Sequence, residues 1–538
     1  MFLAGATIEN FRAIRRLEIS FDETTVLIGE NGSGKTSIFD ALHACLGLRG
    51  RGPEILFERH HFRPADGGGL EPVRIVLLFK EREPGEWTPE QRRRFGPVLA
   101  NVSDGRAAVR WEVRARWDEA RSATRVECRF LDGEGRELGH PAVPDLVHEL
   151  RRLNPFLIFS ANDHRYRPAA GSEAARVDDL LARPRRTPQD LEGLTAEIYD
   201  KLSEGWESLT PAEMRKARAA ARRIWRRLVH PRRQTPAPAG NEHHLPSGGA
   251  QSLAPLLVFG AILRARGARP LEPDVEPIFG AEHFGAHLHP TTLGSVRYVL
   301  ETLPVQKLIS TYSPELVSAL PLRYLRRIVR RRSGTDVYRF DGAGLPADDL
   351  RRLAYHIRAR RGGVLFDRCW LLVEGETEFW LLPEMARIMG YEFDAEGVGM
   401  VEFAQCGIGP ILELARALGI SWHLVADGDE AGEHYVRAAR EYVAGGPAED
   451  YITRLPDADM EHYLWSSGYA GVYLSAAGQS GRRSRRHREA SIRRAIHTHS
   501  KPFLALSVIE ACREPDSPGV PPVIEAAIHT AVRLAREN

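Results

Sequence analysis

A chain of 538 residues with 43% hydrophobic and 27% charged residues has the make-up of a globular protein of two to four domains, not of a disordered or fibrous one. No apolar run reaches the ~18 residues that a membrane-spanning helix requires, so no membrane partner is expected. The net charge of +2 reveals no acidic or basic excess, although only six of the 74 basic residues are lysine.

Five cysteines, Cys45, Cys128, Cys369, Cys406 and Cys512, lie too far apart for a zinc site or a disulfide framework. The first ten residues lack a basic segment leading into an apolar core, so a cytoplasmic protein is expected.

Residues 4–20 alternate as a hairpin does, and Thr25-Val26-Leu27-Ile28 reads as a buried strand. A glycine-rich loop ends that strand, and 36–47 have helical spacing. Strand-like pieces follow at Val73–Phe79, Ala108–Trp117 and Arg125–Leu131, with a buried strand in Asn154–Ser160. Residues 171–230 read as arginine- and alanine-rich helices, and Pro231–Pro246 as a loop. From about 367 a regular alternation begins: strand 370–373, helix 377–389, strand 398–403, helix 408–418, strand 421–426, helix 431–444. Such alternation builds a parallel sheet with its ligand site at the strand C-termini. A domain boundary is expected near 362, after an arginine-rich helix over 350–361.

Gly29-Glu30-Asn31-Gly32-Ser33-Gly34-Lys35-Thr36 fills the pattern G-x-x-x-x-G-K-[ST] between a strand and a helix. Its backbone N–H groups can cradle phosphates, with Lys35 reaching the β and γ phosphates and Thr36, beside Ser37, ligating Mg²⁺. The bound nucleotide is expected to be ATP.

In the second half, Glu374 ends a strand, Glu378 lies one helical turn on, and Asp427 and Asp429 flank Gly428 at another strand end. Asp459-Met460-Glu461 follows the strand-like 451–455. Carboxylates gathered at one sheet edge repel unless cations sit between them, and hard oxygen donors suit Mg²⁺ or Mn²⁺. Two such ions can drive phosphodiester cleavage. The arginine runs 215–233, 323–332 and 482–494 are solvated faces or phosphate contacts, and 215–233 reads as a solvated face or equally as a dimerisation helix. For 482–494, which lies between Glu461 and Lys501, DNA contact is the favoured reading.

Ile8-Glu9-Asn10-Phe11-Arg12 followed by the phosphate loop resembles the start of ABC-type DNA-repair ATPases of the RecF and SMC kind. Glu374-Gly375-Glu376-Thr377-Glu378 with Leu381-Leu382-Pro383 is similar to the Toprim opening of the OLD nucleases. The implied fold class is α/β: an ABC-type P-loop ATPase domain with a helical dimerisation insertion, followed by a parallel-sheet Toprim domain. The implied domains are an ATPase N-terminal part at 1–170, the insertion at 171–245, an ATPase C-terminal part at 246–361 and a Toprim nuclease domain at 362–538.

The resemblance implies more. Ser247, Gly248, Gly249 and Gln251, within Pro246–Ser252, look like the signature motif that touches ATP on another subunit, so a homodimer is expected. Ala286–Pro290 matches the tail of a Walker B segment, which makes Glu282 a ligand of the nucleotide's metal. His283 then stands where a water-activating glutamate is expected, and Tyr312 where a γ-phosphate-sensing histidine is. Glu374, Glu378, Asp427, Asp429 and Glu461 become metal ligands. Lys501, in His499–Phe503, matches a catalytic lysine.

The function implied is an ATP-binding, metal-dependent DNA endonuclease in genome defence or DNA repair, with a helicase partner possible by family resemblance. The alternative is an ATP-gated DNA sensor or clamp with weak or lost activities. A topoisomerase or primase fits less well, since neither a tyrosine cleavage module nor a zinc motif is evident.

Overall fold

The structure is a computed structural model. It describes residues 1–47, 55, 57–65, 67–101, 105–160, 275–284, 305–331, 334–359, 362–443, 445–478 and 488–538. The expected insertion at 171–245, the Pro246–Ser252 motif, the Ala286–Pro290 tail, the arginine run 215–233 and residues 482–487 lie outside these.

The chain forms two compact units, one of 1–320 with 324–337, the other of 321–323 with 338–538. In the first unit, strands β1 (Phe2–Phe11), β2 (Ile14–Ser20), β4 (Val73–Lys80), β5 (Leu99–Asn101), β6 (Ala107–Asp118), β7 (Ala123–Leu131) and β8 (Glu137–Leu138) make an antiparallel sheet in the order β2-β1-β4-β6-β7-β8, with β5 beside β6. β4 alternates buried and half-buried positions along its length, as a strand with one covered face must. The tight turn of the β1–β2 hairpin sets Asn10 and Arg12 at positive φ, 56° and 50°.

The second sheet of this unit runs in the order β13-β12-β3-β11-β10-β9. Its strands are β3 (Thr24–Ile28), β9 (Phe156–Ser160), β10 (Ile278–Glu282), β11 (Gln306–Ser310), β12 (Leu325–Arg330) and β13 (Thr335–Arg339). β12, β3, β11, β10 and β9 are mutually parallel. Every residue of β3, β10 and β11 is buried, which explains why β3 reads as an unbroken apolar run.

β10 is poor in aliphatic residues for a packing reason. A Cβ at Gly280 would lie 2.7 Å from the Phe156 ring and 3.3 Å from that of Phe39, so neighbouring aromatics already fill the space a larger residue would take. The helix Val143–Leu153, closed by Asn154, was not foreseen. It buries Leu146, Val147, Leu150 and Leu153 on one face.

In the second unit, β14 (Cys369–Val373), β15 (Val398–Glu402), β16 (Ser421–Ala426) and β17 (Ile452–Arg454) form a parallel sheet in the order β15-β14-β16-β17. Helices Glu376–Ile388, Ile408–Ala417 and Glu430–Arg440 connect the strands as the alternation predicts. The unit's further helices include Ala347–Ala359, Met460–Leu464, Ala470–Ala476, Arg488–Thr498, Lys501–Cys512 and Pro522–Glu537. Ile524, Ala527, Ile528, Ala531 and Val532 of the last share a core with Leu371 and Val373 of β14. Among the described residues no helix is long and apolar enough to cross a membrane.

Candidate functional site

Strand order places the phosphate loop between β3 and the helix Lys35–Leu46, with β11 and then β10 alongside. Two loop glycines are structurally required. Gly29 has φ 142°, and a Cβ there would meet the Ile328 carbonyl oxygen at 2.3 Å; Gly34 has φ 110°, and a Cβ there would lie 3.3 Å from Ile14. Lys35 is buried and folds back on the loop: its Nζ donates to the carbonyls of Gly29 and Glu30, both at 2.7 Å, and to Ser33 Oγ at 3.3 Å. Burial pulls its ammonium down to about 8, against the charge of Glu30. Glu30, Asn31 and Gly32 are exposed, Thr36 is half-buried, and Ser37 is buried in the first turn of the helix.

The Lys35 ammonium lies 4.3 Å from the centre of the Tyr312 ring, a cation–π contact. The His283 ring stacks on the other partner of this layer, Tyr312, with centroids 5.6 Å apart and planes 19° from parallel. His283 has φ 51°; its N–H donates to Ser310 Oγ, and Phe284 N–H donates to the Ser310 carbonyl. Burial and then the Lys35 charge lower the His283 imidazole. Glu282 is buried at the end of β10, and after burial its charge is what raises the Tyr312 phenol. Lys35, Glu282, His283 and Tyr312 therefore meet at one place.

In the second unit, Glu374 directly follows β14 and Asp427 directly follows β16. Glu374 Oε2 is buried without a hydrogen-bond partner among the described residues. Burial, and then the Asp429 charge, raise the Glu374 carboxyl, while Lys501 opposes. Glu378 projects from the first turn of the next helix, almost wholly buried. Burial pushes it up to about 7, with Glu461 and Glu374 adding to the rise and its own backbone N–H and Lys501 opposing it. Asp427 is pushed up to about 8, by burial first and then by Glu378, Glu374, Asp459 and Glu461. The structure thus brings the predicted carboxylates into mutual influence at one edge of the sheet.

Two glycines hold the Asp427–Asp429 turn. A Cβ on Gly428 would stand 2.2 Å from the Asp457 carbonyl oxygen, and one on Gly432 would stand 2.0 Å from the Asp427 carbonyl oxygen. Asp429 is spent in part as a helix cap, its Oδ1 accepting from Gly432 N–H at 2.8 Å.

Lys501 begins its own helix, capped by Ser500, and its Nζ lies 3.3 Å from Glu461 Oε1. The same Glu461 oxygen accepts from Thr377 Oγ1 at 2.8 Å. Burial would lower the Lys501 ammonium; Glu461, followed by Glu378 and Asp459, holds it above its usual value. One neighbour escaped the sequence reading. The Tyr473 hydroxyl is buried beside Glu461, Asp459 and Glu378 and has no hydrogen-bond partner among the described residues. Asp459 caps the helix Met460–Leu464 and bonds His462, which also reaches Glu489 at 2.7 Å. Tyr473 carries no motif: a lone tyrosine on a helix gives no signal until the helix is docked.

The carboxylates are gathered but not closed. Among the described residues no three His, Cys, Asp or Glu side chains are arranged to hold one ion. The donor chemistry still suits a hard divalent cation: Glu374, Glu378 and Asp427 offer carboxylate oxygens whose charge is disfavoured by burial, and one of those oxygens lacks a partner. Side-chain rotation would have to complete the set.

Residues 1–363 match the family described as "Protein of unknown function (DUF2813)", and 365–429 match "Overcoming lysogenization defect protein-like, TOPRIM domain". The uncharacterized protein YbjD of Escherichia coli (strain K12) is 33% identical over 565 residues, covering 100% of this chain and 99% of its own length. The C-terminal region of the Burkholderia pseudomallei OLD protein aligns with 32% of this chain and 99% of its own, at 16% identity and a TM-score of 0.27. The SMC head domain from Thermotoga maritima aligns with 63% of this chain and 100% of its own, at 15% identity and a TM-score of 0.33.

Proposed function

The chain belongs to the DUF2813 family, with an ABC-type ATPase head followed by an OLD-like Toprim domain, and on that premise we propose that it is an ATP-binding, divalent-metal-dependent DNA endonuclease. The observation that carries this reading is the meeting of Glu374, Glu378 and Asp427 at the C-terminal edge of a parallel sheet, with Lys501 and Glu461 beside them. Glu374, Glu378, Asp427 and Asp429 would hold Mg²⁺ or Mn²⁺, and Glu461 would complete a second set or keep Lys501 in place. Bound there, the metal would activate water and stabilise the leaving oxygen of a phosphodiester.

The chain's own groups have separable tasks. Glu374 and Asp427, fixed by strand ends, set where the scissile phosphate must lie. Lys501, held charged by Glu461, offers an ammonium to the developing negative charge. Gly428 and Gly432 keep the Asp427–Asp429 turn tight enough for both carboxylates to face the same edge.

In the ATPase unit, Gly29–Ser37 would hold the triphosphate, and Lys35 would leave the loop carbonyls for the phosphates. Glu282 would take the nucleotide's Mg²⁺. With His283 and Tyr312 where a general base and a phosphate sensor are expected, ATP is bound more readily than it is turned over. Two copies joined through their ATPase parts would let ATP license the nuclease. A second reading, an ATP-gated DNA sensor, is favoured by one observation, the carboxylate set that is not closed on a single point. Incubating supercoiled plasmid with the protein and Mg²⁺ or Mn²⁺, with and without ATP, separates the two: nicking supports the nuclease, and binding without nicking supports the sensor.

A further inference from the structure

The arginine run 323–332 divides on folding. Arg326 and Arg327 are buried in β12, and Arg326 bonds Asp22 Oδ2 at 2.7 Å and the Ser20 carbonyl at 3.1 Å. Arg330 and Arg331 emerge at the strand's end and face Arg15, from the β1–β2 hairpin, and Arg63 across a cleft of about 340 Å³. Two acidic groups stand against this set: Asp336, 2.8 Å from Arg331, and Glu71, 3.9 Å from Arg63. Arg15 and Arg330 are exposed and make no ion pair or hydrogen bond among the described residues, on a surface where most arginines are paired.

Guanidinium groups presented together are stabilised by phosphate oxygens, which each fork can engage through two N–H groups. We propose that this cleft holds the sugar–phosphate backbone of DNA against the ATPase unit. Four cations drawn from three separate chain segments, in a space several times a phosphate's size, suit a run of phosphates better than one ion. The rest of the lining is Ala13, Gly334 and Thr335, which offers no set of groups to read bases. The binding is therefore independent of sequence. The segments that line the cleft also border the phosphate loop: a Cβ at Gly34 would lie 3.3 Å from Ile14, the neighbour of Arg15, and one at Gly29 would lie 2.3 Å from the carbonyl oxygen of Ile328, two residues before Arg330. The proposal takes DNA as the ligand from the reading above, but not the nuclease chemistry.

The test uses the full chain without divalent metal and a labelled 30-base-pair duplex, with anisotropy followed from about 50 to 200 mM salt. Arg15→Ala/Arg330→Ala is expected to weaken binding about tenfold or more and to reduce the slope of log K against log salt by about two. It should keep the wild-type melting temperature, since both side chains are exposed. Arg121→Ala/Arg125→Ala, which removes the same charge elsewhere in the unit, should change neither. Wild-type affinity and slope in the first variant would overturn the proposal, as would an equal loss in both variants. A loss of ATP affinity with DNA affinity intact would assign the cleft to the nucleotide instead and also overturn it. Duplex binding that depends on the cleft in a protein that never nicks would sink the nuclease reading and leave the cleft standing.

Discussion

Replacing Gly428 by alanine tests whether the Asp427–Asp429 turn is built for chemistry. The added methyl would sit 2.2 Å from the Asp457 carbonyl oxygen and 2.8 Å from that of Leu455, against an ordinary contact of at least 3.4 Å. Both obstacles are backbone, so the turn or the segment after β17 must move by roughly 1 Å to restore contact distance. Overpacking of this kind costs about 1–3 kcal/mol, or roughly 2–12 °C in melting temperature for a unit of this size. A displacement of ~1 Å at a reacting centre costs about a hundredfold in rate. Gly471→Ala, on a helix with nothing within 4 Å of the new Cβ, is the control and should be neutral or slightly stabilising. The assay is plasmid nicking at saturating Mn²⁺, with melting followed in parallel. Wild-type nicking and melting in Gly428→Ala would refute the reasoning.

Three further outcomes are expected. The protein should bind Mg²⁺–ATP and release phosphate slowly; Lys35→Ala should abolish binding, and His283→Glu with Tyr312→His should raise turnover by about tenfold or more, so wild-type turnover of several per second dependent on Lys35 would contradict the site reading. Folding raises Glu378 to about 7 and Asp427 to about 8, above their unfolded values, so stability from these groups is lost as pH rises from about 4 through 8. A divalent ion needs the ionised forms, so the rise in melting temperature on adding Mg²⁺ should be larger at pH 8.5 than at pH 6, and an equal or reversed increment would count against the metal site. Lys501→Ala should slow nicking by about one to two orders of magnitude with DNA affinity kept, and Lys501→Arg should rescue only part, since a planar fork is not a point charge; full rescue would reduce the lysine to a general positive charge.

The parallel sheet of the second unit was legible because its central strands β14 and β16 are buried on both faces and its helices fall between the strands at regular spacing. Strand 421–426 is found as Ser421–Ala426, and the helix expected at 377–389 as Glu376–Ile388. The phosphate loop was legible because glycines with φ above 100° at Gly29 and Gly34 leave a fixed sequence trace. The C-terminal helices were not foreseen: Lys501–Cys512 is apolar on several sides, so helical periodicity is blurred, and its burial comes from docking on Glu376–Ile388. Tyr473 and the partition of the arginine run into core and cleft depend on contacts hundreds of residues apart or on helix packing, which spacing along the chain does not encode.

The central claim, that strand-end carboxylates make a metal-dependent nuclease, rests most directly on Glu374, whose Oε2 is buried and lacks a hydrogen-bond partner among the described residues. The decisive measurement is nicking of supercoiled plasmid by wild type and Glu374→Ala under Mg²⁺ and Mn²⁺, with duplex affinity measured on the same preparations. Wild-type nicking, a fall of about two orders of magnitude or more in the variant, and unchanged affinity are expected. Equal nicking by both proteins would contradict the site, and binding without nicking by the wild type under either metal would contradict the nuclease.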